Sequence, residues 1–313
     1  LSLIDDQIET LKGFGLNCVT LNHTNKEQHE RIYSEIKSNT IDVILVSAEK
    51  ATDEYFLNRL GSPSLCVCDE CHIISEAGHD FRPQYANLCK LINKINIDSR
   101  ILATTATADA DVINDVIEQL GNLNIIRGNM NKSTHSINVV NFSIKEDCSN
   151  ILKNAKINWL RMKIPYIYNT YGCGLIYCTK AKTVDILYQR LNEFNIRENW
   201  ELRIGRYYSD DKKFPRARVL SALKQKEIDI MICTGPSLGI GIDFEFGFTI
   251  HFDPPMSILQ LYQEIGRAGR SPKSTPKACS YIMYSPKSKT KTDKTMHSNV
   301  IDRNIATTIY TVL

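Results

Sequence analysis

The chain has 313 residues, enough for two ordinary domains with cores of their own. Hydrophobic residues make up 42% and charged residues 23%, the balance of a globular protein, and no apolar stretch is long enough to cross a bilayer, so no membrane partner is expected. A formal net charge of +3 permits nucleic-acid binding but does not argue for it, because binding needs clustered charge rather than a surplus.

The ten cysteines sit on apolar runs such as Leu65-Cys-Val-Cys68, which reads as buried thiols in a reducing compartment. That compartment is expected to be the nucleus in a eukaryote and the cytoplasm otherwise. The opening, LSLIDDQIETLK, has early acids and no cleavage site of a secretory signal. It starts at Leu1 rather than Met, so a fragment, a processed product or an incomplete gene model is expected.

In chain order, helical spacing of apolar residues predicts helices over Asp5–Phe14, Lys26–Lys37 and Asp109–Leu120. Between them, 42–47, 64–69 and 100–105 read as short buried strands rich in β-branched or small residues. After a polar interval from about 129 to 171, the alternation resumes. Strands are predicted at 174–178, 229–233 and 248–252, with helices over Lys182–Phe194, Phe214–Lys226 and Ile258–Gly266. Alternating strands and helices imply a parallel sheet covered on both faces, and hence an α/β fold repeated twice in tandem. The expected division is a first domain over 1–135, a linker leading into the second over 136–172, the second domain over 173–285 and a basic tail over 286–313.

In such sheets functional groups gather at the carboxyl ends of strands. Asp69-Glu70, Thr105-Ala-Thr107, Thr179-Lys180 and Thr234-Gly235 all fall there. Two adjacent acids at a strand end suit a metal–phosphate site, with the first holding Mg²⁺ and the second activating water; the plain alternative is an exposed loop pair. Gly78-His-Asp-Phe-Arg-Pro83 places an arginine beside an aromatic, which suits a nucleic acid equally with a capped helix start. Thr234-Gly-Pro-Ser-Leu-Gly-Ile-Gly-Ile-Asp243 is a glycine loop through which backbone N–H groups can approach an anion, or an ordinary tight turn. Gln263-Glu-Ile-Gly-Arg-Ala-Gly-Arg270 sets two arginines three apart on one helical face, an anion clamp or a solvated basic helix. Cys66, Cys68 and Cys71 imitate a metal cluster, but no second ligand pair follows at finger spacing, and they are read as strand thiols.

These motifs, in this order, resemble the RecQ family of superfamily 2 DNA helicases from near Leu1 to about Tyr284. The resemblance implies two tandem RecA-like domains, each a mostly parallel sheet flanked by helices. It implies 3′ to 5′ DNA unwinding driven by hydrolysis of ATP with Mg²⁺, in DNA repair and recombination. Single-stranded DNA and junction-containing duplexes would be the partners, and protein partners are left open. It implies that Asp69 holds Mg²⁺ through ATP, that Glu70 is the general base and that His72 couples the ATP site to DNA. Gly239, Gly241, Asp243, Gln263 and Gly266 would belong to the ATP site, with Arg267 and Arg270 reaching the triphosphate and Arg270 as the arginine finger. His79, Asp80, Phe81, Arg82, Thr105, Thr107, Ser47 and Glu49 would serve DNA binding or its coupling to hydrolysis.

The sequence departs from the family pattern in several places. No Gly-x-x-x-x-Gly-Lys-Ser/Thr occurs in it, so a first domain lacking its opening strand, of marginal stability and with little ATP hydrolysis, is expected of this chain. Glu76-Ala77 stand where relatives carry Gln-Trp, and Tyr207-Tyr-Ser-Asp-Asp211 replaces a Tyr-His-Ala-Gly-Leu segment. The competing expectation is a catalytically inactive DNA-binding or scaffold remnant of such a helicase.

Overall fold

The computed structural model describes residues 2–23, 25–77, 100–106, 108, 110–128, 135–142, 149–209, 215–235, 244–255, 258–270 and 277–285. The chain divides into two compact units, Leu1–Asn129 and Met130–Leu313.

The first unit runs α1 (Ser2–Gly13), β1 (Cys18–Thr20), α2 (His29–Lys37), β2 (Val43–Leu45), α3 (Ala48–Ala51), α4 (Glu54–Leu57), β3 (Leu65–Cys68), α5 (Ile73–Ala77), β4 (Arg100–Ala103) and α6 (Ala110–Leu120). Among the described residues its strands form two parallel pairs, β1–β2 and β3–β4. One apolar cluster joins them. Ile32, Tyr33 and Ile36, at helical spacing on α2, pack with Leu21, Phe56 and Leu57, and with Val112, Val116 and Leu120 of α6.

The expectation that β3 and β4 are buried on both faces needs correction. Cys66, Cys68, Ile101 and Ala103 pack on the core, whereas Leu65, Val67 and Leu102 on the opposite face are 51%, 53% and 48% exposed. The alternation is that of a sheet covered on one side, because successive side chains point to opposite faces.

The second unit runs β5 (His135–Asn141), α7 (Ser149–Tyr171), β6 (Gly174–Cys178), α8 (Ala181–Glu198), β7 (Ile204–Tyr207), α9 (Arg216–Lys224), β8 (Ile230–Thr234), β9 (Phe248–His251), α10 (Ile258–Ile265) and β10 (Ala278–Tyr284). Among the described residues its six strands lie in the order β5-β10-β9-β6-β8-β7, all parallel. One face packs Ile176, Ile232, Phe248 and Ile250 on Leu160, Ile164 and Ile167 of α7 and on Val184, Leu187 and Leu191 of α8. The other face packs Leu175, Tyr177, Met231 and Cys233 against Val219 and Leu223 of α9. This is the layered parallel architecture expected of an α/β chain. The stretch read as a linker, 136–172, holds most of β5 and all of α7, both belonging to the second unit.

Candidate active site

The strand ends of the first unit bring together four of the expected residues. Beyond β3 and β4 the two chains stay zipped: Thr104 N–H donates to the Cys68 carbonyl at 2.9 Å, and Cys71 N–H donates to the Thr104 carbonyl at 2.9 Å. That zipper sets Asp69 and Glu70 beside Thr104 and Thr105. The Thr104 hydroxyl donates to Asp69 Oδ1 at 2.8 Å, and the Glu70 N–H reaches the same oxygen at 3.0 Å. Two donors on Oδ1 fix the carboxylate. Asp69 Oδ2 takes no hydrogen bond among the described residues, a hard oxygen of the kind Mg²⁺ prefers.

Glu70 has a φ of +53°, the left-handed region that side chains other than glycine seldom adopt. Such a conformation costs roughly 1–3 kcal/mol and is held by its surroundings, here by the Asp69 and Thr104 contacts. His72 is buried directly below. Its Nδ1 lies 3.0 Å from the Thr105 hydroxyl and 3.3 Å from Glu70 Oε2. One imidazole therefore touches both the second acid and the threonine of the next strand. Behind it the Ser75 hydroxyl bonds the Asp115 carboxylate, tying α5 to α6. Ser47 and Glu49 lie apart from this group, after β2. The Ser47 hydroxyl accepts from Lys50 N–H at 3.4 Å and caps α3, a structural use of that side chain.

The second unit carries the arginine motif. Contrary to the expected shared helical face, α10 ends at Ile265, so Arg267 and Arg270 lie beyond the helix. They stand on the turn that follows, and the small residues between them explain the turn. Ala268 is fully buried in a bridge to Phe246, and Gly269 N–H donates to the Phe246 carbonyl at 2.9 Å. Gly269 sits at φ +63°, and a Cβ there would stand 2.8 Å from that of Ala278. The half-buried Arg267 and exposed Arg270 are thus set on a clamped loop. Burial pushes the Tyr177 phenol well above its ordinary value, with Cys233 and Glu264 adding to the rise and Arg267 and Arg270 opposing it. Gln263 and Gly266 are half-buried on the same segment.

A third polar group lies at the ends of β6 and β9. Thr179 donates its N–H and hydroxyl to Asp253 Oδ2 at 3.1 and 3.3 Å. Buried Lys156 donates to the Phe252 carbonyl at 2.5 Å, beside a cavity of about 170 Å³. Burial lowers the Lys156 ammonium, with partial compensation from Asp253. His79, Asp80, Phe81, Arg82, Thr107, Gly239, Gly241 and Asp243 lie outside the described residues. Sequence reasoning passed over Thr104, although it stands inside the Thr-Thr-Ala-Thr run, and also His251 and Glu264, which only the strand register brings together.

Residues 1–116 match the DEAD/DEAH box helicase family, and residues 155–272 match the helicase conserved C-terminal domain. The chain is 29% identical over 282 residues to the ATP-dependent DNA helicase RecQ of Bacillus subtilis, covering 86% of this chain and 43% of that protein. It is 30% identical over 277 residues to the probable ATP-dependent DNA helicase RecS of the same organism, covering 87% and 52%. Among solved structures, the DUF1998 helicase MrfA bound to DNA and AMPPNP matches with a TM-score of 0.67 at 13% identity, over 95% of this chain and 42% of that one; this likeness concerns the fold alone. The chain spans about half the length of these curated relatives. Fold, motif order and relatives agree on a superfamily 2 helicase core made of two RecA-like units. Within that class, the chain belongs to the RecQ family.

Proposed function

We propose that this chain is the motor core of an ATP-dependent DNA helicase of RecQ type. It would hydrolyse ATP in response to single-stranded DNA and use the cycle to unwind duplexes 3′ to 5′, including junctions met in repair and recombination. The observation that carries the reading is the Asp69–Glu70–His72–Thr105 group, in which a pinned acid, a strained acid and one buried imidazole meet at two adjacent strand ends.

Asp69 would hold Mg²⁺, which would supply positive charge to the phosphate oxygens. Glu70 would accept the proton of the attacking water. Its left-handed backbone sets the carboxylate next to His72, and His72 hands any shift of that carboxylate to Thr105. Arg267 and Arg270 would stabilise charge on the transferring phosphoryl group, Arg270 as the finger, with Gln263 and Gly266 beside them. The segments with His79, Asp80, Phe81, Arg82 and Thr107, and Gly239, Gly241 and Asp243, would add the DNA and nucleotide contacts the family resemblance implies.

The test is ATP hydrolysis with and without single-stranded DNA, on this chain and on a version extended upstream, beside Glu70→Gln in each. Removing the general base should lower DNA-stimulated hydrolysis by about 100-fold or more while single-stranded DNA binding persists. Hydrolysis by Glu70→Gln at the unmodified rate would overturn the assignment. DNA binding with no hydrolysis in either version would leave the inactive remnant as the better description.

A further inference from the structure

Glu264 differs from the polar residues around it. Gln263, Arg267 and Arg270 are at least partly open, whereas the Glu264 side chain is buried on the sheet side of α10. Gln260, one turn earlier, donates Nε2 to its Oε1 at 2.7 Å. His251 Nδ1 lies 3.1 Å from its Oε2. Gly235 presses so close that a Cβ there would stand 2.0 Å from Oε1.

His251 is fully buried on β9, its ring stacked on that of Tyr177 at 5.2 Å and 23°. Among the described residues no hydrogen bond completes Nδ1, and the Glu264 carboxylate is the charged group set beside it. On the far side of the ring, Nε2 lies 3.5 Å from the Thr249 hydroxyl. Thr249 meets the Ser280 hydroxyl at 2.6 Å, and Ser280 meets His135 Nε2 at 2.8 Å. A polar row thus crosses β5, β10 and β9 beneath an otherwise apolar layer and ends on α10.

A leucine would pack α10 on the sheet without the desolvation cost of a buried acid. An acid bonded by Gln260, set 3.1 Å from His251 and hemmed in by Gly235 does something a leucine cannot: it sets the roll of the helix. We infer that His251 and Glu264 are a positioning pair that fixes the roll of α10 and, with the Phe246 bridge at the far end, the direction of Arg267 and Arg270. The inference rests on the proposal that these arginines serve the triphosphate. It assigns the pair no contact with nucleotide.

The test reads the arginines directly. The whole chain is treated with phenylglyoxal, and modification of Arg267 and Arg270 is timed by peptide mass spectrometry, with the urea midpoint measured in parallel. His251→Phe keeps a ring on Tyr177 and removes both nitrogens. His251→Asn removes the ring and returns an N–H donor near the place of Nδ1. Glu264→Leu removes the acid and keeps apolar bulk. In folded protein, His251→Phe and Glu264→Leu should speed modification about tenfold, as the close buried His251–Glu264 pair is lost, while His251→Asn stays near the native rate. Native rates in His251→Phe, or His251→Asn reacting as fast as His251→Phe, would overturn the inference. Should Glu264→Leu fail to fold, the two His251 variants still decide. None of these rates depends on hydrolysis, so failure here and failure of the Glu70→Gln test remain separable.

Discussion

Asp229 shows how a single buried carboxylate can tie three elements together. It stands just before β8 and accepts from the Arg203 N–H, Nε and Nη2 at 2.8, 2.9 and 2.7 Å, and from the Tyr168 hydroxyl at 3.0 Å. Burial alone would raise this carboxyl; the hydrogen bonds from Arg203 and Tyr168 outweigh burial and hold it below its usual 3.8. A lowered folded value means that the contribution is present above the unfolded value and is lost as pH falls through the folded one. Thermal unfolding of the second unit should therefore lose stability as pH drops below about 4, and Asp229→Asn should flatten that loss. At neutral pH, Asp229→Ala should cost about 2 kcal/mol by urea denaturation, since Arg203 is exposed enough to find water instead. The same scale explains why Glu70 was easy to single out and His251 was not. Glu70 follows Asp69 in sequence, whereas His251 meets Glu264 only once β9 and α10 have packed.

Elements approach one another closely where α7 turns into β6 beside the start of β9. A Cβ on Gly247 would stand 1.6 Å from the Tyr171 carbonyl oxygen, and one on Gly174 would stand 2.2 Å from the Phe248 ring. The first obstacle is backbone at the end of a 23-residue helix and cannot give way as a flexible side chain can. Gly247→Ala should therefore destabilise the second unit by about 4 kcal/mol or more in urea denaturation, beyond the usual range for a surface glycine. Much of this layer was legible beforehand. The run Gly174-Leu-Ile-Tyr-Cys178 is apolar throughout because β6 is covered on both faces, and the structure has a strand over the same residues. By contrast, α7 was hidden. Its buried Ile157, Leu160, Ile164 and Ile167 follow helical spacing, but lysines, asparagines and the internal Pro165 break the pattern into what reads as a polar linker. β7 and β10 were hidden as well, since Ile204-Gly-Arg-Tyr207 and Ala278-Cys-Ser-Tyr-Ile-Met-Tyr284 carry few β-branched residues.

Across the whole molecule the two units differ in how completely their strands are enclosed. Every residue of β6 and β9 is buried, while β3 and β4 leave Leu65, Val67 and Leu102 about half exposed. At roughly 25 cal/mol per Å² of apolar surface withdrawn from water, that difference favours the second unit. Urea unfolding of this chain should be biphasic, with the first unit opening first, and limited proteolysis should leave a resistant piece spanning about 135–285. A single cooperative transition with simultaneous cleavage in both units would contradict this.

The cysteines provide a chemical clock for the same event. Hydrogen bonding from Cys68 lowers the half-buried Cys66 thiol to about 7, whereas burial pushes Cys178 and Cys233 well above their ordinary value and Cys279 up to about 11. The nucleophile is the thiolate, so an alkylating pulse at neutral pH marks Cys66 in the folded chain and the other three only after the six-stranded sheet has come apart. With Cys66 as the reference, the order in which Cys178, Cys233 and Cys279 acquire a mass label then records how that sheet opens, without any added reporter.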